Sequence, residues 1–163
     1  MNNLNLPNVD IYTDGSCDTQ LRVGAWVAII LYDKTKQVIS GIETDTTHNR
    51  MELMAVIEAI KFVNSEFKVQ TAMMIFSDSQ YVTGLPNRKK SMESTGFLTR
   101  KGTPVQNELL VKILFNILSD VHVNFEKVIA HQKKTTIINY NIEADLFARK
   151  LVREKVKEIT AIQ

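Results

Sequence analysis

The chain has 163 residues, 44% hydrophobic and 23% charged, with a formal charge of +2 and a pI near 8.6. This is the balance of one globular domain with a real core, and its mild basicity permits a polyanionic partner without demanding one. A lone cysteine, Cys17, excludes an intramolecular disulfide or a cysteine-rich zinc site, and no apolar run approaches the roughly 18 residues of a membrane span.

Met1 to Pro7 lacks the charged start and apolar stretch of a signal peptide, so a cytoplasmic location is expected. Val9 to Thr13 alternates and reads as a strand. Gly24 to Tyr32 is a second, β-rich run, followed by a turn at Asp33 to Lys36 and a third strand over Gln37 to Glu43. These three fit an antiparallel meander. Asn49 to Val63 has helical periodicity, Ala72 to Phe76 reads as a buried strand, and Ser79 to Leu85 as a short helix stopped near Pro86. Pro86 to Lys101 is polar and basic. Pro104 sits well in the first turn of a helix running to Leu118. Val121 to Ala130 is a fifth strand, Gln132 to Tyr140 a loop, and Asn141 to Ile159 a final amphipathic helix. The order β-β-β-α-β-α-α-β-α predicts an α/β fold, a mixed five-stranded sheet with helices packed on it.

Four carboxylates stand where these elements begin or end: Asp14, Glu52, Asp78 and Asp145. Each has a plain structural explanation. Asp14-Gly15 is a turn signal. Asn49-x-x-Glu52 matches a capping box. Asp78 sits where a helix N-cap belongs, and Asp145 falls in the first turn of the last helix, favoured by its dipole. Helix geometry strains the account for Glu52. At about 100° per residue it lines up with Val56, Ala59, Ile60 and Val63, opposite Glu58, Lys61 and Ser65. A carboxylate at the end of a core stripe needs a partner. Four acids brought together repel one another, which divalent cations relieve; Mg²⁺ with basic residues nearby suggests phosphodiester chemistry.

Four blocks carry a resemblance: Thr13-Asp14-Gly15-Ser16-Cys17, Asn49-Arg50-Met51-Glu52-Leu53, Ser77-Asp78-Ser79-Gln80-Tyr81-Val82, and Asn141-x-x-Ala144-Asp145-x-x-Ala148. In this order and spacing the chain resembles type 1 ribonuclease H over nearly its whole length. The resemblance implies a single RNase H domain over residues 1–163, with its core at about 8–160. It implies a five-stranded mixed sheet, antiparallel through the first three strands and then parallel, flanked by helices. It also implies a catalytic, metal-binding set of Asp14, Glu52, Asp78 and Asp145, with two Mg²⁺ ions expected and Mn²⁺ possible. The implied reaction is endonucleolytic hydrolysis of the RNA strand of RNA–DNA hybrids, leaving 3′-hydroxyl and 5′-phosphate ends. Two ions about 4 Å apart clamp a scissile phosphate, one activating water and the other stabilising the leaving oxygen.

His131 aligns with the family's mobile-loop histidine, which assists proton transfer or product release. Gly15, Ser16, Cys17, Asn49, Gln80 and Asn141 are implied to meet the substrate. Arg88, Lys89 and Lys90 fall where some bacterial members carry a basic protrusion. Departures accompany the likeness. His48 stands where asparagine is usual beside a 2′-hydroxyl. The protrusion's tryptophans are absent, leaving Phe97, and the segment after His131 is long and without glycine. The expected partner is an RNA–DNA hybrid, with no membrane, no obligate protein partner and a monomeric state. The competing readings are a noncatalytic hybrid- or duplex-RNA-binding module and another nuclease of the same fold.

Overall fold

The computed structural model describes residues 7–67, 70–130 and 138–162. Among these, the strands are β1 (Asn8–Asp18), β2 (Val23–Tyr32), β3 (Thr35–Thr44), β4 (Ala72–Ser77) and β5 (His122–Lys127). The helices are α1 (His48–Glu66), α2 (Gln80–Thr83), α3 (Leu85–Ser94), α4 (Glu108–Leu118) and α5 (Tyr140–Ala161). The strands form one sheet in the order β3-β2-β1-β4-β5. β1, β2 and β3 pair antiparallel, and β4 runs parallel to both β1 and β5. This is the mixed sheet expected from the element order.

Alternation along β1 sorts its side chains. Val9 and Ile11 join the larger core with α1, α3 and α4, through Leu53, Val56, Ile60, Met92 and Leu114. Tyr12 points the other way, onto a smaller cluster of Val27, Ile29, Ala144 and Ala148 under α5. Helices therefore cover both faces, each burying one stripe against the sheet. The stripe predicted for α1 is the one observed: Val56, Ala59, Ile60 and Val63 are buried, and Glu52 with them.

Three of the differences from the sequence reading bear on the site and its surroundings. β1 runs to Asp18, straight through the predicted turn at Asp14-Gly15, because Asp14 to Asp18 pair with Val27 to Val23 of β2. Pro86 does not end a helix; it occupies the first turn of α3, where its missing N–H costs nothing. The basic segment is thus partly helical. The next helix begins at Glu108 rather than Pro104. Leu98 bridges to Pro104, the Thr99 N–H donates to the Thr103 carbonyl, the two threonine hydroxyls bond to each other, and Asn107 adopts φ 55 just before the helix.

Candidate active site

The carboxylates meet at the carboxyl end of β1 and β4, where α/β sheets hold their ligands. The parallel ladder pairs Tyr12 with Phe76 as its last step. Continuing that register by two residues sets Asp14 beside Asp78. α1 brings the third acid. Near its start, Met51 and Glu52 lie directly on Gly15: a Cβ there would stand 2.4 Å from the Glu52 nitrogen. Only glycine lets strand and helix approach so closely. As a result one carboxylate oxygen from each of Asp14, Glu52 and Asp78 lies within 4.8 Å of the others.

The plain explanations of these acids fall away one by one. The N-cap of α1 is Thr47, whose Oγ1 accepts from the Arg50 N–H, so Glu52 closes no capping box on Asn49. Ser79 caps α2, accepting from the Val82 N–H, which relieves Asp78 of that task. Asn139 caps α5 by accepting from the N–H groups of Asn141 and Ile142, and Asp145 lies in the second turn rather than the first. Asp145 is outside the three-acid cluster, half-buried, with its Oδ1 accepting from Arg149 Nε at 2.7 Å. It remains near enough to Asp14 to add to the repulsion there.

Electrostatics record the convergence. Asp14 is 4% exposed. Burial first, then the charges of Glu52, Asp78 and Asp145, push its carboxyl up to about 9, against a hydrogen bond from the Gly15 backbone. Glu52, 1% exposed, is raised by burial, with His48 opposing. His48 Nε2 lies 3.2 Å from Glu52 Oε1, and this hydrogen bond raises the imidazole against the opposing effect of burial. Glu52 Oε2 is buried without a hydrogen-bond partner. Buried carboxylates with an unsatisfied oxygen fit a hard divalent cation, which takes oxygen ligands and removes the repulsion.

Residues 7–153 match the RNase H family model. The chain belongs to the RNase H family. The ribonuclease H of Thermoanaerobacter sp. strain X514 is 36% identical over 156 residues, covering 94% of this chain and 96% of the relative. That of Ehrlichia canis strain Jake is 39% identical over 145 residues, covering 88% and 94%. LC9-RNase H1, a type 1 RNase H with the type 2 active-site motif, superposes at a TM-score of 0.78 with 20% identity, over 94% of this chain and 75% of its own; that likeness is one of fold. The RNase H resemblance read from the motifs holds, and the RNase H family supplies the metal dependence that the acid cluster fits.

The other residues expected at an RNase H site divide by position. His48 and Asn49 open α1 beside Glu52, Gln80 opens α2 two residues after Asp78, and Gly15, Ser16 and Cys17 continue β1 past Asp14. Asn141, on α5, is buried with its Oδ1 unpartnered. Arg88 and Lys90 are exposed on α3. Lys89 is turned inward, its Nζ 3.5 Å from the Phe115 carbonyl and over the Phe115 ring. Phe97 packs on Phe115 instead of facing out. His131 lies outside the described residues.

The sequence reading missed Gln106 and Asn107. Asn49 Nδ2 donates to Gln106 Oε1 at 3.1 Å, the Tyr81 hydroxyl donates to the Gln106 carbonyl, and Asn107 Nδ2 donates to the Tyr81 hydroxyl. This ties α1, α2 and the start of α4 together beside the acids. An asparagine just before an apolar helix was the available signal, hidden by placing the helix start at Pro104.

Proposed function

We infer that Asp14, Glu52 and Asp78 form the metal centre with which this chain hydrolyses the RNA strand of RNA–DNA hybrids. The chain is an endoribonuclease by family. The observation that carries the metal centre is the convergence of three carboxylates within 4.8 Å, two of them almost wholly buried. Mg²⁺ is the expected ion, two with substrate, and Mn²⁺ an acceptable substitute. Asp14, Glu52 and Asp78 would hold the metal, which would there supply polarisation of the scissile phosphate and a lowered pKa for an attacking water.

The chain's own groups do the rest. Asp14 presents an oxygen from β1 and Asp78 one from the residue just past β4, both beyond the last pair of the parallel ladder that sets the two chain ends side by side. Glu52 adds one from the helix laid on Gly15. Asp145 completes the set from α5 once its oxygen leaves Arg149, and His131 moves the proton or aids release. Products carry 3′-hydroxyl and 5′-phosphate ends. Gly15, Ser16, Cys17, His48, Asn49, Gln80 and Asn141 meet the minor groove of the hybrid, where 2′-hydroxyls mark the RNA strand. Arg88 and Lys90 meet the DNA backbone, while Lys89, on the same helix, is engaged with Phe115. Residues 8–160 work as a single domain, in a monomer, in the cytoplasm. Among the described residues no helix is long and apolar enough to cross a membrane.

The test is cleavage of matched RNA–DNA, duplex RNA, duplex DNA and single-stranded RNA with Mg²⁺ or Mn²⁺. Hybrid-only cutting supports the reading, and binding without turnover under either ion would leave a noncatalytic module. Asp78→Asn is expected to abolish cleavage while far-ultraviolet circular dichroism stays unchanged. A variant that cuts as fast as the parent would sink the metal assignment.

A further inference from the structure

We propose that His48 is a positioning residue for Glu52: its Nε2 donates to Oε1 and so holds the carboxylate with Oε2 directed to the metal. The proposal rests on the metal centre inferred above. His48 and Glu52 are one helical turn apart on α1, 3.2 Å between Nε2 and Oε1. Such i, i+4 neighbours lie over one another on a helix face. His48 is also the first residue after the Thr47 cap, so its backbone is fixed where a helix end would otherwise fray. The two oxygens of Glu52 then have different fates. Oε1 is hydrogen-bonded, and Oε2 is buried with no partner. The charge of Asp78 pushes against the Glu52 carboxylate; an N–H donor on one oxygen holds it in place and leaves the other to coordinate.

The ring does this from the rim. The His48 side chain is 60% exposed while that of Glu52 is 1% exposed. It therefore orients a buried ligand without being part of the core, and its truncation removes little packing. A donor behind a carboxylate ligand is the arrangement that tunes metal affinity at many sites, where losing it costs about 10–100-fold in binding.

The experiment measures Mn²⁺ binding to the full chain without substrate, from the loss of the free-ion electron paramagnetic resonance signal. His48→Ala, His48→Gln and Glu52→Gln are compared with the parent, with melting temperatures measured in chelator. His48→Ala is expected to weaken Mn²⁺ binding about tenfold with its metal-free melting temperature held. His48→Gln, which keeps an N–H donor of similar reach, is expected to restore most of the loss. Alanine binding within about twofold of the parent overturns the proposal, as does a loss that glutamine fails to restore. Glu52→Gln separates the two inferences: if it binds Mn²⁺ like the parent, the metal centre itself is wrong, whereas its failure to bind beside a normal His48→Ala removes only the role of His48.

Discussion

Asp14 shows at the scale of one residue what the site costs the fold. Its carboxyl titrates in the folded chain at about 9, against 3.8 for an ordinary aspartate, because it is buried among acids. A raised folded value means the folded state binds the proton more tightly than the unfolded one. Stability from this group is full below the ordinary value and is lost as pH climbs from about 4 toward about 9. Melts in chelator are therefore expected to fall across that window, and saturating Mg²⁺ to flatten the fall. Asp14→Asn removes the penalty. It is expected to raise metal-free stability at pH 8 by about 1–3 kcal/mol, with little change at pH 4, while cleavage is lost. An Asp14→Asn variant no more stable than the parent at pH 8 would contradict the repulsion. Gly15 carries a different constraint. A methyl group there meets the α1 backbone, so Gly15→Ala is expected to cost about 1–3 kcal/mol and to cut activity at temperatures where the chain stays folded. Comparing melts with rates on one preparation checks both.

At the scale of elements, the site depends on how helices are started. α1 and α5 deliver Glu52 and Asp145, and each begins at a polar cap, Thr47 or Asn139. Asn139 accepts from two backbone N–H groups at the turn that holds Asn141 buried. Asn139→Ala is expected to lower stability by about 1 kcal/mol. The same change is expected to speed amide exchange in the first turn of α5, with exchange in α1 unaffected; uniform acceleration would mean the cap matters only globally. The aromatic run from Phe76 to Tyr12 to Tyr140, with Lys36 over Tyr140 and paired to Glu143, anchors this helix start to the sheet. α3 shows the opposite case, an element whose basic residues serve two purposes. Arg88 and Lys90 face out, while Lys89 is held at the α3–α4 contact by Phe115 and Glu93.

At the scale of the molecule, binding to a hybrid is an encounter between a mildly basic chain and a polyanion. Each phosphate neutralised releases counterions, so log affinity falls with log salt by about 0.9 per contact. Arg88→Ala combined with Lys90→Ala is expected to reduce that slope by about 2, measured with Ca²⁺ or chelator to prevent cleavage. Lys89→Ala is expected to leave the slope unchanged and to lower the melting temperature, because its amino group is engaged with the protein. A slope that responds equally to all three would mean that Lys89 leaves Phe115 when substrate binds.

Much of this was legible along the chain. Periodicity alone fixes the α1 stripe and puts Glu52 on its buried side, because a helix repeats its faces every few residues whatever it packs against. Strand alternation and element order determine a mixed sheet, and four short motifs determine the family. Local signals failed where partners lie far away in sequence. The turn at Asp14-Gly15 did not form because β2 supplies pairing through Asp18. The capping box on Asn49 gave way to a nearer competitor, Thr47. Whether Asp14, Glu52 and Asp78 converge is a matter of register between β1 and β4 and of one glycine under α1. Both are non-local, and so is the placement of α5 that leaves Asp145 outside the cluster. The sequence by itself singled out four candidate acids and the family they point to; only the tertiary structure decided which of them share a cation's reach, because that depends on distances between residues tens of positions apart.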